Sequence, residues 1–145
     1  MRMCKALHES LDRYIFIDLF IYNRDRIICQ LIIGTWNEDE STVTHTIDND
    51  SSETYSALGE GETAEITFRA DGTYTTVHHT SGVDAEKSGT WSIQKDKITL
   101  IADDGPMAYF IDKLNRKHCY LHGISSATID YTTYYIHYSL KLTRM

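Results

Sequence analysis

The stretch Ile66-Thr67-Phe68-Arg69-Ala70-Asp71-Gly72-Thr73-Tyr74 decides the fold. Apolar and polar residues alternate on both sides of an Asp-Gly pair. Glycine enters the positive-φ region without steric cost, so the chain reverses there as a β-hairpin. The spacing predicts a type I turn with Gly72 at a bulge, which sets Phe68 opposite Tyr74. The same tripeptide flanks this hairpin on either side, as Gly34-Thr35-Trp36 and Gly89-Thr90-Trp91. The period of two returns near the end of the chain. Tyr134, Ile136, Tyr138, Leu140 and Leu142 are apolar, while Thr133, His137, Ser139, Lys141 and Thr143 are polar. Such alternation describes strands with one buried face and one wet face.

Between these anchors the turn residues fall at short intervals. Strands are expected over Leu31 to Asn37 (with a start as early as Ile27), Ala64 to Arg69, Thr73 to His79 and Lys87 to Gln94. Four more are expected over Lys97 to Ala102, Met107 to Leu114, His118 to Gly123 and about Ala127 to Thr143. Lys95-Asp96, Asp103-Asp104-Gly105-Pro106 and Asn115-Arg116-Lys117 supply the turns. Eight strands joined this way predict an all-β fold, an eight-stranded antiparallel up-and-down β-barrel. Closure removes the exposed edges of a long meander. The expected division is a helical extension over residues 1–30 and a barrel domain over 31–145.

Composition narrows the partners. Ten tyrosines against four phenylalanines favour half-buried pleated surfaces. The net charge of −7 carries no basic face, which argues against nucleic acid as a partner. Nine carboxylates and no Lys or Arg lie between Glu38 and Glu65. That run is read as a solvated loop with its flanking strand ends, holding a short strand around Val43 to Ile47. A calcium site would need closely spaced oxygen ligands, such as Asp48 with Asp50, and a glycine-bearing turn; no loop has that pattern. Cys4, Cys29 and Cys119 are odd in number and far apart, which shows no disulfide framework and no zinc spacing. Cys119 is expected to pack as a small hydrophobe.

The N-terminal segment carries Tyr14-Ile15-Phe16-Ile17-Asp18-Leu19-Phe20-Ile21-Tyr22, too short and too charged for a membrane span. Asp12, Arg13 and Asp18 interrupt any signal-peptide core, and no small-residue cleavage site follows. Leu7, Leu11 and Ile15 repeat at helical spacing, so Lys5 to Tyr22 reads as an amphipathic helix covering one end of the barrel.

Together the motifs resemble the lipocalin-like domains common in gut Bacteroidetes. The shared order is a Gly-Thr-Trp opening, a Phe-x-x-Asp-Gly-Thr hairpin, a second Gly-x-Trp strand and a meander to a last strand ending in a basic residue. The resemblance spans Leu31 to Arg144. It implies that Gly34 and Trp36 close one end of the barrel and that Arg144 stacks on Trp36. Asp130-Tyr131 is a partial match to the Thr-Asp-Tyr of the second lipocalin motif, with Ile129 in place of the threonine. Relatives of this type are usually exported or lipid-anchored, which implies a periplasmic or surface location, although the sequence shows no competent signal peptide.

Chemistry-bearing residues are sparse. His118 and His122 lie four strand steps apart, roughly 13 Å, too far to share one metal ion. His78 and His79 point to opposite faces. No nucleophile elbow, carboxylate couple or phosphate-cradling glycine loop is present, so neither enzyme activity nor a cofactor or metal is expected. The inward register instead gathers Tyr74, Thr76, His78, Trp91, Tyr109, Tyr134 and Tyr138, the candidate binding residues for a small hydrophobic or aromatic molecule. The alternative is a structural or protein-interaction module that uses the acidic 38–65 segment or the N-terminal helix. The sequence leaves the oligomeric state and the ligand open.

Overall fold

The structure, a computed structural model, describes residues 16–48 and 50–145. Among these residues one helix, α1 (Phe16–Ile32), precedes nine strands: β1 (Gly34–Ile47), β2 (Ser51–Ser56), β3 (Thr63–Phe68), β4 (Thr73–His79), β5 (Asp84–Gln94), β6 (Lys97–Ala102), β7 (Gly105–Leu114), β8 (His118–Ile129) and β9 (Thr132–Arg144). All pairings are antiparallel between chain neighbours from β3 to β9, and β1 pairs with both β3 and β9. That last pairing closes an eight-stranded barrel of β1 and β3 to β9. The β2 strand lies outside the closed ring.

Several boundaries differ from the sequence expectation; β5 begins at Asp84 rather than Lys87 and β7 at Gly105 rather than Met107. The acidic segment is mostly strand rather than loop. Gly34 to Glu38 pair with β3, and after an irregularity between Glu38 and Glu40 the rest of β1 stays with β9 while taking β2 as its other neighbour. Alternating threonines kept this segment on a pleated path that its charge concealed. Ile27 to Ile32, read as the possible start of the first strand, are helical. Asp25, Cys29 and Ile32 are buried there, and Ile28 packs against the core, a spacing of three to four. The expected helix over Lys5 to Tyr22 therefore lies partly outside the described residues, and the observed helix runs ten residues beyond Tyr22. Ala127 to Ile129 belong to β8, because Asp130 and Tyr131 both adopt positive φ (49° and 66°) and form the two-residue turn into β9. Cys29 is disulfide-bonded, although the number and spacing of the cysteines show no disulfide framework. Among the described residues, Cys119 is the free thiol, and it is fully buried.

The central hairpin has the predicted geometry. Gly72 sits at φ 83°, its N–H donates to the Arg69 carbonyl at 3.1 Å, and Phe68 pairs with Tyr74. Trp91 anchors this turn from β5, donating through its backbone N–H to the Gly72 carbonyl (2.9 Å) and through Nε1 to the Arg69 carbonyl (3.0 Å).

The end of the barrel that carries this turn is solid. Trp36, Trp91, Phe68, Ile93, Ile98 and Leu121 are fully buried there, and Ile32 of α1 joins them. Each such side chain contributes about 1.5–3 kcal/mol by leaving water. Trp36 Nε1 donates to the Ile32 carbonyl at 2.7 Å, which ties the first strand to the helix end. The Arg144 guanidinium lies 4.2 Å from the Trp36 ring centroid. It also donates to the carbonyls of Leu31, Ile33 (2.8 Å) and Arg116 (2.7 Å). Gly34, at φ 135°, has no room for a Cβ because that position meets Arg144 Nη1.

Candidate functional site

The opposite end is the open one. The β4–β5, β6–β7 and β8–β9 turns and the start of β3 surround it. Strand periodicity sends Tyr74, Thr76 and His78 of β4 inward, with Lys87 opposite Thr76 on β5 and Tyr109 on β7. Between these walls lies a cleft of about 190 Å³. Tyr74, Leu100, Pro106, Met107 and Tyr109 give it apolar sides; Thr76, Lys87 and Asp104 give it a polar rim. Lys87 Nζ donates to Asp104 Oδ2 at 2.6 Å across that rim. Both side chains are well exposed, so the pair orients the rim without adding much stability.

Aromatic rings frame the space behind the cleft. Tyr109 and Tyr138 meet edge to face with centroids 5.3 Å apart, joining β7 to β9 across the interior. Two glycines make room for the tyrosines. A Cβ on Gly89 would collide with the Ile101 carbonyl and the Tyr74 ring, and one on Gly123 with the Tyr138 ring and the Ala108 carbonyl. Each ring therefore lies across a strand position that lacks a side chain. Burial is the main cause that raises the Tyr109 phenol above its ordinary value, helped by Tyr138, Glu38 and Tyr74. Burial raises Tyr74 as well. These phenols stay protonated at neutral pH and act as hydrogen-bond donors; Tyr109 Oη donates to Met107 Sδ at 2.6 Å.

The sequence-derived candidates do not all meet here. Tyr74, Thr76 and Tyr109 line the cleft. Trp91 is 1% exposed and packs edge to face on Phe68, so it belongs to the floor. Tyr138 stands behind Tyr109. His78 reaches the mouth but pairs through Nε2 with Glu62 Oε2 at 3.1 Å. Tyr134 is 39% exposed and lies four positions from Tyr138, where β1, β8 and β9 project together past the rest of the barrel. Alternation gave its face correctly, but the barrel ends before it. His118 and His122 lie on the outer face, with His122 Nδ1 held by Asp112 at 2.7 Å. Among the described residues, no three His, Cys, Asp or Glu side chains come together to hold a metal ion.

Sequence reasoning missed Glu38. It was counted with the solvated acidic run, yet it follows Trp36 by two and so shares its inward face. Opposite it stand buried Ala64 on β3 and buried Leu142 on β9. Burial raises its carboxyl above the ordinary range, while a hydrogen bond from Ser41 and the nearby His78 partly offset that rise. Lys87, Leu100 and Met107 were also missed; their pairing with inward residues of known register was the available signal.

The model of the lipocalin-like domain matches residues 32–118. The chain belongs to the lipocalin-like domain family. Among solved structures, the lipocalin-like barrel is similar to a lipocalin-like protein from Bacteroides uniformis, with 11% identity and a TM-score of 0.48 over 79% of this chain and 98% of that one. It is also similar to an uncharacterized protein from Bacteroides eggerthii, with 12% identity and a TM-score of 0.42 over 73% of this chain and 98% of that one. No curated protein matches the sequence. Among the described residues, no helix of the lipocalin-like chain is long and apolar enough to cross a membrane.

Proposed function

We propose that this lipocalin-like protein binds a small hydrophobic or aromatic molecule at the open mouth of its barrel, without catalysis. The cleft between Tyr74 and Tyr109, above a solid aromatic floor, carries this reading. Its volume of about 190 Å³ suits one ring with a short side chain; an apolar cavity of roughly 150 Å³ accommodates benzene. Apolar walls supply affinity and the few polar groups fix orientation.

Titrating the protein with indole while following backbone amide resonances tests the proposal. Shifts should centre on Tyr74, Thr76, Leu100, Met107 and Tyr109, and Met107→Trp, which fills the cleft, should abolish them. Shifts confined to another surface, or none at millimolar indole, would refute it. The family resemblance and the disulfide-bonded Cys29 support a location outside the cytoplasm, where disulfides persist. Recovery of the native protein from the cytosolic fraction with Cys29 reduced would contradict that location.

A further inference from the structure

The Glu38 carboxylate is the charged group inside the mouth that has least to hold it. It projects into the barrel from β1, with the small Ala64 beside it on β3 and His78 next in the same row on β4. Glu38 and His78 are therefore roughly 10 Å apart at their origins, across two strand spacings, with only a methyl group between them. The neighbouring basic side chains are engaged elsewhere. His78 pairs with Glu62, Lys87 with Asp104 and Lys141 with Glu40. Among the described residues, no Lys, Arg or His nitrogen lies within 4.0 Å of the Glu38 carboxylate. The hydroxyl of the buried Ser41 nearby favours its charged form. An ionised carboxylate accepts about four hydrogen bonds, so most of its capacity is unused. On β9, four positions from the Leu142 that faces Glu38, Tyr138 packs against Tyr109, whose phenol the Glu38 charge helps to raise; their ring faces and edges suit an aromatic ligand carrying a cation.

We propose that Glu38 is the recognition group for a protonated amine, so that the ligand class is a small aromatic amine. This rests on the mouth being the ligand site and names what that site selects. The ring fills the cleft between Tyr74 and Tyr109. The ammonium group reaches Glu38, donates hydrogen bonds to the unused carboxylate lone pairs and replaces the counter-ion that the barrel does not supply. Burial disfavours the bare carboxylate, and a bound ammonium removes that penalty. An alkyl ammonium, with a pKa near that of lysine (about 10), is charged at neutral pH.

Three probes sharing one ring separate the possibilities: tryptamine, indole and indole-3-propionate, each titrated into the full chain at neutral pH by calorimetry. Tryptamine should bind about tenfold tighter than indole, the gain expected for hydrogen bonds to a charged group, with the propionate weakest. In Glu38→Gln, shown folded by a cooperative thermal melt, the ratio of tryptamine to indole affinity should fall to about one. If that variant does not fold, Asp104→Asn decides the matter: the tryptamine advantage should persist there, and its loss would assign the amine to the carboxylate lining the cleft and overturn the role of Glu38. Equal affinity of wild type for tryptamine and indole would overturn the assignment of Glu38 while leaving the cleft intact, as would a tryptamine advantage that survives Glu38→Gln. Failure of all three probes to bind would instead remove the mouth as a ligand site, and the assignment of Glu38 with it.

Discussion

Replacing Arg144 with alanine tests how the closed end is held. The guanidinium stacks on Trp36 at 4.2 Å and donates to three carbonyls, those of Leu31, Ile33 and Arg116. The stacking contributes about 0.5–1 kcal/mol at a partly exposed site. Each hydrogen bond from a charged donor contributes about 1.5–3 kcal/mol when buried, but Arg144 is only half-buried and the released carbonyls regain water. About 1 kcal/mol for each of the three is the appropriate figure. Arg144→Ala should therefore cost about 3–4 kcal/mol, which for a chain of this size lowers Tm by roughly 10 °C. Urea unfolding followed by tryptophan fluorescence measures it, because both tryptophans are buried in the same core. Arg144→Lys keeps the charge but loses the planar fork, and should cost about half as much. A double-mutant cycle with Trp36→Leu, which removes the aromatic face, should return a coupling near the stacking energy. A loss below about 1 kcal/mol for Arg144→Ala, or a lysine variant as stable as the wild type, would refute the view that this side chain ties helix, first strand and last strand together.

Three further outcomes follow from the same geometry. Gly123→Ala places a methyl group where the Tyr138 ring and the Ala108 carbonyl already lie, and should destabilise by about 1–3 kcal/mol; an unchanged thermal melt would contradict it. The Cys119 thiol is fully buried and pushed up to about 12, mainly by burial. It should resist a thiol-exchange reagent in the native state and react once the chain is unfolded in denaturant; rapid native labelling would contradict that. The Glu38 carboxyl is raised above its ordinary 4.5 in the folded state. The folded state therefore binds that proton more tightly, and stability falls as pH rises through the folded value. Glu38→Gln removes that loss, so its Tm should exceed that of the wild type at neutral pH and converge with it below the unfolded value; a lower Tm at neutral pH would contradict the burial argument.

The barrel was readable where local chemistry and global pairing agree. Asp71-Gly72 fixes a hairpin whatever surrounds it, and the alternation from Tyr134 to Leu142 fixes which face of β9 turns inward. Alternation cannot say how far along a strand the barrel extends, which is why Tyr134 falls outside. The apolar run Ile27 to Ile33 was ambiguous because a short hydrophobic stretch fits a buried strand or a helix equally well. Glu38 was hidden by its neighbours: Asp39 and Glu40 are exposed, and charge density outweighed a period of two that began at Trp36. Lys87 lies four positions before Trp91 on β5 and shares its inward face, a signal that its charge obscured. The candidate site was thus half legible, in its aromatic walls, and silent on its charged groups.

The rings of Tyr74 and Tyr138 lie over Gly89 and Gly123, and this bears on what a visitor to the mouth must organise. A tyrosine free to swing would have to be frozen on association, at about 0.5–1.5 kcal/mol for each side chain immobilised. Here that loss of freedom was incurred once, during folding, by glycines that let the rings settle on bare backbone. The wall is set before any ligand arrives, so even a single-ring molecule need spend little of its small contact energy on ordering the protein.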